Sequence, residues 1–354
     1  MQLAIDLVER GLVPDWVTRL GIRNLLLRRL GERHHDIERD RQGQHDFIAK
    51  LRGSPIAIDT GKANEQHYEV PPEFFQMVLG KRLKYSSCIY ASGPCEDSQD
   101  SLDAAEERML ALTCERAQIR DGMDILELGC GWGSLTLWMA EKYPSAKITS
   151  VSNSAPQRLF IEARCRERGF KNVQVITCDM NAFKIDQRFD RVVSVEMFEH
   201  MRNYKELFAR ISGWLKDDGK LFFHIFVHDS YAYPFADEKN DDWMARHFFS
   251  GGIMPSDNLM LYFQDDLVAE RHDRVSGVHY SRTSEDWLKN LDRHRHDVIK
   301  LFEKDMPRRD AIRQTNRWRM FFMACAELFG FRGGQEWYVS HYLYRRRSSS
   351  APSS

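Results

Sequence analysis

Between residues 123 and 228 the chain alternates short apolar runs with longer helix-like stretches, and no other feature narrows its fold as much. MDILELG (123–129), KITSVS (147–152), NVQVITCD (172–179), FDRVVSVEMFEH (189–200) and KLFFHIFVH (220–228) have the length and β-branched content of strands. SLTLWMAEKYP (134–144), APQRLFIEARCRERG (155–169) and YKELFARISGWLKDDG (204–219) lie between them and read as helices closed by proline or glycine. Strand, helix, strand at this cadence builds a parallel α/β sheet with right-handed crossovers. Ligands of such sheets bind at the carboxyl ends of the strands.

The first of those ends carries the sharpest motif, Glu127-Leu-Gly129-Cys-Gly131-Trp-Gly133. Glycines between a strand and a helix permit positive φ and let a ligand approach the backbone. Nicotinamide enzymes place G-x-G-x-x-G here and add an acidic residue at the end of the second strand. This chain spaces its glycines G-x-G-x-G, and the second strand ends Val151-Ser152-Asn153 without an acid. S-adenosylmethionine has no pyrophosphate, so its loop has only a ribose and a methionine tail to admit. The next strand ends fit that donor. Asn153 and Gln157 are placed to bond the ribose hydroxyls, Asp179 to accept from the adenine amino group, Met180 to cover the adenine, and Val195 to line its pocket. Each is also an ordinary cap or turn residue by itself; together, at successive strand ends, they predict a methyl-donor site.

The fourth strand runs into Glu196-Met197-Phe198-Glu199-His200, beside the expected sulfonium. Methyl transfer from sulfur is an in-line displacement, and an ammonium substrate must lose its proton first. A carboxylate next to a histidine supplies such a base, and a second carboxylate orients a cation. The competing reading is a helix start carrying acids for its dipole. No H-x-x-H or cysteine pattern accompanies the cluster, so no metal is expected.

The chain is 354 residues long, more than a plain core needs. Residues 1–110 read as an N-terminal helical cap, 111–228 as the donor-binding core, 229–317 as a lid or substrate insertion, 318–345 as a helix and strand completing the core, and 346–354 as a disordered tail. The N-terminal part is amphipathic, with Leu20, Ile22, Leu25 and Leu26 on one side and Arg19, Arg23, Arg28 and Arg29 expected to face outward. Such a helix can lie on a membrane, but packing on its own domain is the expected outcome. The insertion is aromatic; Trp243, Phe248, Phe249, Tyr262, Phe263 and Tyr280 are candidates for a cage around a flat or cationic substrate. A helix is expected from Thr283 to about Met306, and Cys325 reads as a buried small hydrophobe. A net charge of −1 gives no footprint for nucleic acid. Seven scattered cysteines argue for a reducing, cytoplasmic setting, and no apolar run reaches the ~18 residues of a membrane span. A homodimer is compatible with the chain.

Six stretches carry a resemblance: HYEVPPEFFQMVLGKRLKYSSCIY, ILELGCGWGSLTLWMAEKYP, VSVEMFEHMRNY, DDWMARHFFSGGIMPSDNLMLYFQ, HYSRTSEDWL and MACAELFG. In these the chain, from about Gln66 to Tyr344, resembles the cyclopropane-fatty-acyl-phospholipid synthase superfamily, and within it the coclaurine N-methyltransferase group. The resemblance implies a class I S-adenosylmethionine-dependent methyltransferase, a Rossmann-like and mostly parallel sheet of seven strands with a helical cap and an inserted lid. It implies a small-molecule amine substrate, Glu199 and His200 as the deprotonating pair, Glu196 placing the amine, and Tyr85 and Ser86 closing over the donor with Gly129 and Gly131 beneath it. The lipid-modifying branch holds a bicarbonate with a Cys in Tyr-Ser-Cys, a Glu, a His after the fifth strand and a lid Tyr. Here Glu199 and His224 remain, but Ser87 replaces the Cys, Cys88 is displaced by one, and Leu288 follows Trp287. Where the lipid branch commonly has glycine, this chain has Glu196, an extra anion that suits an amine better than an alkene. Amine N-methylation is therefore the expected function, with lipid modification as the alternative.

Overall fold

The computed structural model describes residues 2–31, 36–58, 70–91, 100–235 and 243–347. Helices α1 (Gln2–Glu9), α2 (Asp15–Gly31), α3 (Ile37–Arg52), α4 (Pro72–Val78) and α5 (Leu102–Arg116) precede the sheet. Then β1 (Asp124–Leu128), β2 (Lys147–Ser152), β3 (Val173–Thr177), β4 (Phe189–Val195) and β5 (Leu215–His228) alternate with α6 (Ser134–Lys142), α7 (Ala155–Arg168) and α8 (Tyr204–Trp214). A small ladder follows, β6 (Tyr233–Pro234) on β7 (Ile253–Met254), with α9 (Trp243–His247) between its strands. The chain closes with β8 (Leu267–Val275), α10 (Gly277–Arg293), α11 (Arg295–Phe302), α12 (Arg308–Gly330) and β9 (Trp337–Arg346).

The large sheet has seven strands in the order β3-β2-β1-β4-β5-β9-β8. It is parallel through β5, and β9 runs antiparallel to both neighbours. Strand order reverses between β1 and β4, which opens the crevice in which ligands of such sheets bind. Local chemistry sets the edges of the crossovers. Ser154 caps α7 by accepting from Gln157 N, Pro156 sits in its first turn, and Gly169 ends it in the left-handed region at φ +71°.

Several expected boundaries move. The insertion drawn over 229–317 contains β8, an edge strand of the main sheet, so only part of it lies over the crevice. The boundaries at 110 and 317 fall inside α5 and α12. The helix expected over 204–219 stops at Trp214 because Leu215 pairs with Phe189 and extends the sheet. The helix expected from Thr283 begins earlier, at Gly277, and breaks at His294, whose ring Nδ1 meets the Asn290 carbonyl oxygen. The disordered tail expected from 346 does not start there: Arg346 pairs with Leu267 and Arg347 N donates to Asp266 O, while residues 348–354 lie outside the described residues.

The N-terminal helices depart most from the pattern. Ile5, Val8, Ile22, Leu26 and Leu30 pack on the apolar cluster around α12, as amphipathicity requires. Arg19 does not face outward; it turns inward and donates to both Glu285 and Glu327, and Arg23 also reaches Glu327. Leu12, Trp16, Leu20 and Leu27 are exposed instead. Among the described residues no helix is long and apolar enough to cross a membrane.

Candidate active site

The donor end of the crevice is built from backbone. Gly129 follows β1 at φ +79°, and a Cβ there would stand 2.6 Å from Met197 Cγ. Gly131, at φ +51°, has nothing within 4 Å of where a Cβ would point, because it faces the crevice. The Gly129 and Cys130 amides both donate to Val151 O, at 2.9 and 3.1 Å, and tie the turn to β2. One cavity runs past Gly129, Gly131, Asn153, Gln157, Asp179 and Met180, which brings the predicted donor residues of three strand ends together. Gln157 is buried and spends its carbonyl on the Ser152 hydroxyl at 2.7 Å, so it meets a ligand as a donor. Asp179 commits Oδ1 to Asn181 N at 2.7 Å. This slot, opened where Gly131 has no side chain and combining Asn153, Gln157 and Asp179 with the apolar Ile58, Val151 and Met180, suits the ribose and adenine of S-adenosylmethionine. Ile58, Ser152, Cys178 and Ser250 also line it and were not anticipated.

Glu127 lies beneath the same turn. Burial pushes its carboxyl up to about 7, against hydrogen bonds from the Thr136 and Ser150 hydroxyls.

A second, more aromatic cavity shares Gly129, Gly131, Gln157, Met197 and His200 with the first. Tyr85, Ser86, Val195 and Glu196 line it; Val195, expected in the adenine pocket, stands in this cavity instead. Of the six candidate cage aromatics, Phe249 and Tyr280 reach it. Phe248 stacks on Phe321, Phe263 packs against Tyr204, Trp243 Nε1 donates to Glu9 and Tyr262 lies near Arg41. The remaining aromatic wall is Trp132, Phe226, Trp287 and Phe321. Nothing in the sequence set these four apart, since a buried aromatic reads the same whether its far edge meets protein or cavity.

Glu196 is the most constrained side chain here. It follows β4 with φ +47°, a left-handed conformation that costs a non-glycine residue roughly 1 kcal/mol or more. Its N–H donates to His224 O at 2.8 Å and holds it there. Its Oε1 accepts from Ser87 N at 2.9 Å and lies 3.1 Å from His224 Nε2; its Oε2 accepts from the Tyr280 hydroxyl at 2.6 Å. Burial raises the Glu196 carboxyl above the usual range, opposed by the Lys84 charge, the Tyr280 and Ser87 donors and the charge of His200. Lys84 is fully buried and donates to Ser86 Oγ and Ser87 O, at 2.5 and 2.6 Å. It was missed because Gly80-Lys-Arg-Leu-Lys84-Tyr85 reads as a basic, solvated turn, with no local sign that one of its cations is buried. The substitutions at 87 and 288 do not leave the cluster short of donors: Ser87 supplies its backbone N–H and Tyr280 the hydroxyl. The anion they surround is the protein's own carboxylate.

Glu199 is placed differently from His200. His200 lines both cavities and stacks on Phe249 with ring centroids 5.7 Å apart. Glu199 lines neither; it is fully buried, accepts from Phe226 N at 2.8 Å, and its Oε2 has no hydrogen-bond partner among the described residues. Burial, then the Glu196 charge, pushes its carboxyl well above the usual range.

A crevice of this form is shared with known proteins. Residues 58–336 match the model of the mycolic acid cyclopropane synthetase family. The chain belongs to that family. Its sequence is 39% identical over 345 residues, 96% of this chain and 94% of the relative, to an (S)-coclaurine N-methyltransferase of Thalictrum flavum subsp. glaucum. A crystal structure of coclaurine N-methyltransferase bound to N-methylheliamine and S-adenosylhomocysteine superposes with TM-score 0.92 at 38% identity, covering 97% of this chain and 98% of that one. The cyclopropane-fatty-acyl-phospholipid synthase of Escherichia coli (strain K12) is 31% identical over 194 residues, 54% of this chain and 46% of that enzyme. This member of the family is an S-adenosylmethionine-dependent N-methyltransferase with the class I methyltransferase fold.

Proposed function

We propose that the substrate is a small benzylisoquinoline-type amine, bound as a cation against Glu196 and deprotonated by His200. One observation carries this reading: the Glu196 carboxylate faces the aromatic wall of the cavity and is held in a strained conformation by donors on both oxygens, while the other carboxyl of that cavity, Glu127, is taken up by the Thr136 and Ser150 hydroxyls. An ammonium flanked by aromatic rings gains cation–π attraction as well as the ion pair.

S-adenosylmethionine, when bound, supplies an electrophilic methyl group on a sulfonium. The chain's own residues do the rest. Gly131, Gln157 and Asp179 hold the nucleoside at the strand ends, and Tyr85 and Ser86, on the wall of the second cavity, close over the donor. Glu196 draws the ammonium to the junction of the cavities. His200 accepts the N–H proton there, and the freed lone pair can then attack the methyl carbon along the line away from sulfur. Glu199 has no face on the cavity and acts from behind His200 rather than on the amine itself. Phe249, Trp287 and Phe321 exclude water while this happens.

Turnover of labelled methyl donor against a panel of cyclic secondary amines and phospholipid vesicles tests the reading. Label is expected in amine, falling by roughly 10²–10⁴-fold in His200→Ala and by less in Glu199→Gln. Label found only in lipid would overturn the amine assignment.

A further inference from the structure

Glu196 is the inner end of a chain of hydrogen bonds that starts at a guanidinium. Arg116, the last residue of α5, places Nη1 2.8 Å from His341 Nδ1. His341 Nε2 lies 3.0 Å from His224 Nδ1, and His224 Nε2 lies 3.1 Å from Glu196 Oε1. The two histidines are directly opposed on β5 and β9, both buried, with ring centroids 4.7 Å apart. Burial, with the charges of Arg116 and Lys84 nearby, keeps both rings well below the usual imidazole range, so both are neutral at physiological pH.

The chemistry of the first member orders all the others. A guanidinium has only donors, so His341 Nδ1 must accept. A neutral ring that accepts on Nδ1 carries its proton on Nε2 and donates it to His224 Nδ1. His224 in turn carries its proton on Nε2 and donates to Glu196. From this polarity we infer that Arg116, His341 and His224 are positioning residues that hold Glu196 ionised and oriented as the amine anchor. The inference rests on the reading of Glu196 proposed above. It also excludes Glu196 as the proton exit: His224 could take a proton from Glu196 only by reversing every bond, and Arg116 blocks the far end.

Other charges surround both ends. Lys84, Tyr280, His200, Glu199 and Cys325 bear on Glu196. Asp273, whose Oδ2 lies 3.8 Å from Arg116 Nε, bears on the outer end with Arg271 and Glu115. None replaces the donor that His224 brings to Oε1.

The test uses the full chain and three variants. Arg116→Met and His341→Phe break the chain, whereas His341→Gln keeps one acceptor and one donor. Ring nitrogen NMR should show His224 and His341 as single Nε2–H tautomers in the wild type, and the His224 tautomer mixed in the two breaking variants. The acidic limb of kcat/KM for the amine should move up by about one pH unit in those variants, with KM at neutral pH rising about tenfold. His341→Gln should stay near wild type, and S-adenosylmethionine affinity should not change. A purely structural pair of histidines would instead lower Tm in all three variants and leave the acidic limb in place, which would overturn the inference. Nδ1–H tautomers in the wild type would overturn it without any activity measurement. A wild type that methylates no amine would sink the reading of Glu196 but leave the tautomers to judge the chain.

Discussion

The two halves of the crevice are made by different means. The donor half is assembled mainly from strand ends, most of its lining lying within a few residues of Gly129, Asn153 and Asp179, with Ile58 and Ser250 added from outside the sheet. The amine half draws Lys84–Ser87, Glu196, Met197, His200, Phe226, Phe249, Tyr280, Trp287 and Phe321 from six or more separate segments around one carboxylate. The first half is a property of the sheet and the second a property of packing on it. The halves should therefore fail independently.

The largest effect should come from Glu196→Gln. Removing one member of a buried ion pair costs about 3–5 kcal/mol, so kcat/KM for the amine should fall about 10³-fold. Calorimetric affinity for S-adenosylmethionine should stay within about twofold; a parallel loss would break the separation of the halves. Gly131→Val should do the reverse. A branched side chain at φ +51° is strained and projects into the donor slot, so donor affinity should fall by about 100-fold or more, with a smaller rise in amine KM because Gly131 also borders the second cavity.

Glu127→Gln sharpens the contrast through stability. The folded Glu127 carboxyl, raised from 4.5 to about 7, binds a proton more tightly than it does in the unfolded chain. The folded state therefore holds more protons between those values, and this site's contribution falls as pH rises from about 4.5 to 7. Thermal melts of wild type and Glu127→Gln should draw apart between about pH 4.5 and 7 in favour of the variant, by an amount on the order of 3 kcal/mol. Parallel melts across that range would show that Glu127 does not titrate there. Phe321→Ala should have the smallest functional effect: amine KM rises about tenfold, with donor affinity unchanged.

The same division explains what could be read from sequence. Alternating strands and helices, the glycine turn and the acids and amides after successive strands are local patterns, and each maps onto one stretch of chain. Gly129, Gly131, Asn153, Gln157, Asp179 and Met180 therefore stand together where expected. Trp287 and Phe321 gave no such sign, because helical periodicity marks a residue as inward-facing without saying whether protein or cavity lies inside. Arg19 misled for the converse reason. An arginine on an amphipathic helix is ordinarily outermost, and only Glu285 and Glu327, more than 260 residues away, turn it inward. Glu199 and His200 are neighbours in sequence, but a single 3₁₀ turn, Phe198–His200, sends one into the core and the other into the crevice.

The left-handed backbone at Glu196 has an evolutionary consequence. Glycine adopts that conformation without strain, and a glutamate codon becomes a glycine codon by one base change. Losing the carboxylate there would relax the main chain, offsetting part of the cost of leaving Lys84 and the Ser87 and Tyr280 donors without their anion, so charge selectivity at this crevice stands one mutational step from its opposite.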